Sequence, residues 1–98
     1  MKQLTKKEAC AFFDNKCYEG WSNRDIAVFQ LHQERLCMPF EVFGLSLESE
    51  LKRGISAMEY VFGSDGLKKE LMKDQPVPEL EYFMGLIPKE KRELVFPK

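Results

Sequence analysis

Four side chains in this chain could bind a soft metal ion or act in catalysis, namely Cys10, Cys17, His32 and Cys37. Zinc sites need four ligands, which are usually supplied as close pairs two to four residues apart. The pairs present here, Cys10-x₆-Cys17 and His32-x₄-Cys37, are spaced more widely. The thiols of the first pair would lie about 10 Å apart along a helix, too far to share one ion directly. The spacing therefore favours no metal site, and we interpret the cysteines as small core residues.

His32 is the single histidine, so acid–base or Cys–His catalysis would have to use it. No nucleophile or carboxylate stands near it at a recognisable spacing, and it lies in the polar second half of a helical segment that should face solvent. The sequence therefore predicts no catalytic residue, no cofactor and no enzymatic activity. The odd cysteine count and a charged N-terminus without an apolar stretch favour free thiols and a cytoplasmic protein.

Acidic residues around the predicted central helix are the candidates for binding a partner. Glu41, Glu48 and Glu50 fall on that helix, and Glu34 lies at the end of the preceding one. Carboxylates grouped in this way could occupy a basic nucleic-acid channel of another protein, because complementary charges speed association. The alternative interpretation is an ordinary solvated helix face, since most surface charge has no specific partner.

Residues 20–27, Gly-Trp-Ser-Asn-Arg-Asp-Ile-Ala, resemble the opening of a helix-turn-helix. This likeness suggests an alternative function, that of a small DNA-associated regulator with a degenerate helix-turn-helix. The next helix would have to enter the major groove, but Glu41, Glu48 and Glu50 would repel the phosphates. The net charge of −1, from 15 basic and 16 acidic residues, also lacks the basic excess of a nucleic-acid binder. We therefore expect no binding to duplex DNA.

The most apolar stretch is Arg-Leu-Cys-Met-Pro-Phe-Glu-Val-Phe, residues 35–43, and it joins two helical patterns. Pro39 has a fixed φ and no N–H, so a helix can begin there but not continue through it. Together with Ile-Ala-Val-Phe-Gln-Leu at 26–31, this stretch resembles a family of short, uncharacterised proteins of bacteriophages and prophages. The resemblance covers roughly residues 5–62 and implies a phage origin and an intracellular setting.

The chain departs from that family at the positions where relatives would carry histidine. Gly44 follows the Val-Phe pair in place of one histidine, and Met58 stands in place of the other. No metal or acid–base role can therefore be carried over to this chain. The small size, the lack of a catalytic motif, the balanced charge and this resemblance together favour a non-enzymatic interaction protein. It would bind a host or phage protein and could inhibit a host defence system such as a CRISPR effector.

The pattern of caps and apolar residues predicts one α-rich α+β domain over residues 1–98, with four to five helices. Capping residues at Thr5 and Ser22 mark two helix starts. Residues 55–62 fit both a helix and a strand, and a proline in relatives near Gly54 favours the extended form. A short two-stranded sheet could then pair residues near Tyr60 with residues 94–96. No apolar run is long enough to cross a bilayer. The predicted core consists of Phe12, Phe13, Trp21, Ile26, Phe29, Phe40, Phe43, Leu47, Phe83 and Ile87.

Overall fold

The chain folds into helices packed around one apolar core. The computed structural model describes residues 1–97. Over these residues it forms α1 (Lys6–Asp14), α2 (Asn23–Leu31), α3 (Phe40–Leu51), α4 (Ala57–Phe62), α5 (Ser64–Met72), α6 (Leu80–Met84) and α7 (Lys89–Val95). No strand occurs in this part of the chain, so the predicted α+β class with four to five helices is wrong and the fold is all-α. Within residues 1–97, no helix is long and apolar enough to span a membrane.

The first predicted strand is replaced by α4, because a capping box starts a helix there. The Ser56 Oγ accepts a hydrogen bond from the Glu59 N–H over 3.3 Å, and the Glu59 carboxylate accepts one from the Ser56 N–H over 3.0 Å. This arrangement satisfies two backbone donors that a helix start otherwise leaves unpaired. The strand propensity of Tyr60 and its neighbours reflects packing on a sheet surface, and no sheet is present among the described residues.

The second predicted strand, residues 94–96, is also wrong, because most of it belongs to α7. Pro88 precedes this helix with φ −55°, the value that suits a helix start. Glu90 then lies in the first turn and Arg92 in the last, so both charges match the helix dipole. Val95 is buried, and Phe96 follows the helix as its C-terminal cap.

The predicted starts of the first three helices are confirmed. Thr5 and Glu8 form a capping box, and the Ser22 Oγ accepts a hydrogen bond from the Asp25 N–H over 3.1 Å. Pro39 directly precedes α3. Phe12 on α1, Phe29 on α2 and Phe83 on α6 meet in the core, with ring centroids 5.1 Å apart for both Phe12–Phe29 and Phe29–Phe83.

Most of the predicted core is buried as expected. Three predicted core residues are not buried. Phe13 and Trp21 are partly exposed, and Phe40 keeps 50% of its surface accessible. The half-exposed position of Phe40 places an aromatic ring at the protein surface. The predicted core residues that are buried are Phe12, Ile26, Phe29, Phe43, Leu47, Phe83 and Ile87.

Two glutamines that the sequence placed on an exposed helix face are instead buried. The Gln30 amide accepts a hydrogen bond from the Cys37 N–H over 2.7 Å and donates one to the Arg35 carbonyl over 2.9 Å. The Gln33 amide accepts from the Leu4 N–H over 2.9 Å. Both amides form hydrogen bonds with backbone groups outside the helices, which would otherwise lack partners. Gln30 thereby holds the connection 32–39 against the core, and Gln33 holds the N-terminal segment there.

Candidate interaction surface

Helix α4 differs from the other six helices described because it buries none of its residues. Met58, Val61 and Phe62 are spaced i, i+3 and i+4, so they share one face of the helix. That face points outward, with 65%, 68% and 76% of these side chains exposed. Tyr60 lies on the opposite side, half-buried against α3.

A shallow pocket of about 440 Å³ lies between α3 and the segment that carries α4. The Phe40 and Tyr60 rings meet edge to face in its wall, with centroids 4.8 Å apart. Leu45, which is 71% exposed, adds a further apolar side chain. The complete lining is Phe40, Glu41, Gly44, Leu45, Glu48, Ile55 and Tyr60. We refer to this pocket and the outward face of α4, which lie on different sides of that helix, together as the α3–α4 face.

Two of the predicted partner-binding carboxylates, Glu41 and Glu48, line this pocket. They are spaced i and i+7 on α3, so they lie about 10 Å apart on one side of the helix. The Glu48 Oε2 accepts a hydrogen bond from the Ile55 N–H over 2.8 Å. Its Oε1 has no hydrogen-bond partner within residues 1–97, and neither carboxylate there forms an ion pair with a described basic side chain. The pocket thus has an apolar wall and a negative rim.

The Tyr60 phenol lies within this negative environment. Burial raises the pKa of Tyr60, and the nearby charges of Glu48 and Glu59 raise it further. Both effects disfavour a negative phenolate, so the hydroxyl stays protonated and available as a donor. Tyr60 therefore presents a neutral aromatic ring beside the carboxylates.

The other two predicted partner-binding residues lie elsewhere. Glu34 is exposed and lines a neighbouring pocket beyond the Phe40 and Tyr60 rings, together with His32 and Lys68. Glu50 faces α2, where its Oε1 lies 3.8 Å from the Arg24 guanidinium. The structure therefore brings Glu41 and Glu48 together in one pocket and separates Glu34 and Glu50 from it.

An ionic cluster holds α4 in place in the absence of buried side chains. Arg53, just after α3, donates to both Glu59 on α4 and Glu70 on α5, with its Nη2 at 2.8 Å from each carboxylate. These contacts lower the pKa of Glu59 to about 2 and also lower that of Glu70. A bidentate arginine positions its partners as well as attracting them, so the cluster orients α4 relative to α3 and α5.

The candidate soft-metal ligands do not form a site in the described part of the chain. Cys10 is exposed, whereas Cys17 and Cys37 are buried in the core. Burial raises the pKa of the Cys37 thiol to about 12, which keeps it protonated and unreactive. His32 is half-buried beside the Val28 carbonyl, 2.8 Å from its Nδ1, and burial lowers its pKa. Residues 1–97 contain no group of three or more histidine, cysteine, aspartate or glutamate side chains placed to hold a metal ion.

The outward face of α4 is not predicted from the sequence, because residues 55–62 fit both a helix and a strand and the extended form is favoured there. The spacing of Met58 and Phe62 and the Ser-x-x-Glu pattern at 56–59 were the signals that could have found it. Comparison of the chain with protein-family models, with curated proteins and with solved structures found no match.

Proposed function

We propose that this protein acts by binding another protein through the α3–α4 face, without catalysing a reaction itself. The observation that carries this proposal is that α4 exposes Met58, Val61 and Phe62 and buries no residue. A short helix of this kind adds little to the core. Large apolar side chains grouped at the surface are typical of sites where a partner binds.

The proposed setting is a phage protein that meets its partner in the host cytoplasm. Its support is the resemblance of residues 35–43 to short phage and prophage proteins, together with the acidic rim of the pocket. An inhibitor of a host defence system is the form of this function that fits best. Glu41 and Glu48 would face a basic surface, and the nucleic-acid channel of a CRISPR effector is one surface with that charge.

The alternative, a DNA-associated regulator, is less well supported by the geometry. The connection 32–39 between α2 and α3 is about twice as long as the three- to four-residue turn of a helix-turn-helix. In the groove, α3 would also present Glu41 to the DNA phosphates. These two features favour protein over duplex DNA as the partner.

The experiment is affinity capture from host lysate with three forms of the protein. These are the wild type, the double variant Val61→Ser/Phe62→Ser, and Leu94→Ser as the control. Leu94 is 60% exposed on α7, so its replacement removes a comparable apolar side chain from a different surface. We expect one host protein to be captured by the wild type and by Leu94→Ser, and to be lost with the double variant. Equal capture by all three would contradict the proposal.

A plasmid-interference assay tests the more specific form of the proposal. Co-expression of the wild type should protect a targeted plasmid from one class of CRISPR effector, and the double variant should not protect it. Protection that survives in the double variant would place the inhibitory surface elsewhere on the protein.

A further inference from the structure

The α3–α4 face combines two features that together restrict the chemistry of its partner. Its apolar part consists of the Phe40, Leu45 and Tyr60 side chains in the pocket and, on the other side of α4, of the outward face of that helix. Its charged part consists of Glu41 and Glu48 at the pocket. No basic side chain lines this pocket among the described residues.

We infer that the partner segment that occupies this pocket is a basic amphipathic helix, with an apolar side chain seated between two lysine or arginine side chains. This inference rests on the proposed function and specifies the partner for the same surface.

The spacing of the pocket residues supports a helical occupant. Glu41 and Glu48 stand about 10 Å apart along α3, with Leu45 between them. Two basic residues spaced i and i+7 on a partner helix are separated by the same distance, and residues at i+3 and i+4 lie between them on the same face. A helix in this register would place a cation against each carboxylate and its apolar side chains against Leu45.

The groups in the pocket have the chemistry to hold such cations. Within residues 1–97, Glu48 retains its Oε1 as a free acceptor while Oε2 is fixed by the Ile55 N–H, so its carboxylate is oriented before a ligand arrives. The exposed part of the Phe40 ring and the neutral Tyr60 ring can contact the aliphatic stem or the charged head of an arginine. A guanidinium could therefore contact both a carboxylate and an aromatic face.

The charge of α3 disfavours a second copy of this chain as the occupant. In a symmetric dimer the same patch meets itself, so the carboxylates of Glu41 and Glu48 would approach those of the partner. Like charges opposed across an interface disfavour association. A nucleic-acid strand is disfavoured on the same ground, because its phosphates carry the same sign.

The test uses two synthetic helical peptides of about 18 residues, a length at which helices become stable. Both have leucine at i+3 and i+4; one has arginine at i and i+7, and the other has glutamate there. Binding is measured by fluorescence anisotropy. We expect the arginine peptide to bind about three- to tenfold more tightly, as two partly exposed ion pairs would give. This preference should shrink as salt rises from about 50 to 300 mM, because the Debye length falls.

A matched pair of variants assigns the charge effect to the pocket. Glu41→Gln should remove part of the preference for the arginine peptide, whereas Glu81→Gln should not. Both residues lie in the first turn of a helix, so each variant loses a similar interaction with a helix dipole. Equal effects of the two variants would overturn the inference.

Three other outcomes would also overturn the inference. They are equal binding of both peptides, tighter binding of the glutamate peptide, and concentration-dependent dimerisation through this face in sedimentation. Equal peptide binding that is lost in Val61→Ser/Phe62→Ser would leave the proposed docking function intact, because only the charge preference would have failed. Failure of the proposed function itself would be seen in a different result. In that case Val61→Ser/Phe62→Ser would capture the host protein as well as the wild type does.

Discussion

The Glu48 carboxylate on α3 accepts a hydrogen bond from the backbone N–H of Ile55 over 2.8 Å, and so couples α3 to the segment that leads into α4. The sequence predicts Glu48 as a surface carboxylate that binds a partner, with an ordinary solvated helix face as the alternative. In the structure it is half-buried and joins the two helices that form the proposed docking surface.

Removing this carboxylate should therefore lower stability. We expect Glu48→Ala to reduce the free energy of unfolding by about 1 kcal/mol, because the Ile55 N–H loses a charged acceptor. Glu34→Ala, at an exposed position, should change it by less than about 0.5 kcal/mol. Urea denaturation of both variants measures the difference, and equal values would mean that the Glu48–Ile55 hydrogen bond adds nothing.

Gln30→Leu tests whether the buried amide fixes the connection 32–39. Leucine has a similar size but cannot accept from the Cys37 N–H, which is left buried without a partner. We expect a loss of about 1–3 kcal/mol, the cost of an unsatisfied buried backbone group. Gln75→Leu is the control, because Gln75 is exposed and its side chain accepts a hydrogen bond from the Arg24 side chain rather than from a buried backbone group. A loss no greater than that of the control would contradict the buried role of Gln30.

The three cysteines should differ in reactivity. In the native protein, a thiol reagent should modify Cys10 quickly, since it alone of the three is exposed. Cys17 and Cys37 should react only after denaturation, because burial shields both and raises their pKa. Titration with and without denaturant, under non-reducing conditions, should find one and then three thiols per chain. Three fast thiols in the native state would contradict the core placement.

The Arg53 cluster should make stability depend on pH in the acidic range. The pKa of Glu59 is lowered to about 2 by its hydrogen bonds to Arg53, below its value in the unfolded chain. The stabilisation is thus complete above the unfolded pKa and is lost as the pH falls toward 2. We expect the melting temperature of the wild type to fall more steeply than that of Glu59→Gln between about pH 5 and pH 2. Curves that fall equally for both proteins would show that protonation of Glu59 does not affect folding stability.

Local capping and apolar spacing predicted the starts of α1, α2 and α3 and most of the core correctly, because those signals act within a few residues. The same kind of signal is present at Ser56 and Glu59. The proline of relatives near Gly54 nevertheless favours the extended form, which also suits the β propensity of residues 60–62. That propensity depends on packing against neighbouring strands, and in this fold Val61 and Phe62 face outward.

Other features required the tertiary structure. The partners of Gln30 are the carbonyl of Arg35 and the N–H of Cys37, which approach it only when the chain turns back after α2. Its burial could not be predicted from a polar residue in a helical pattern. Charge and position along the helices select Glu34, Glu41, Glu48 and Glu50 alike, and only the tertiary structure separates the two that line the pocket from the other two.

Site-specific photo-cross-linking in host cells examines the proposed docking surface in the intact protein. A photoreactive phenylalanine analogue replaces Phe62 on α4 in one variant and Leu94 on α7 in another, two positions that are both largely exposed. We expect the probe at position 62 to yield one discrete adduct with a partner protein and the probe at position 94 to yield none. An adduct at position 94 with none at position 62, or the same adduct at both, would contradict binding through the α3–α4 face.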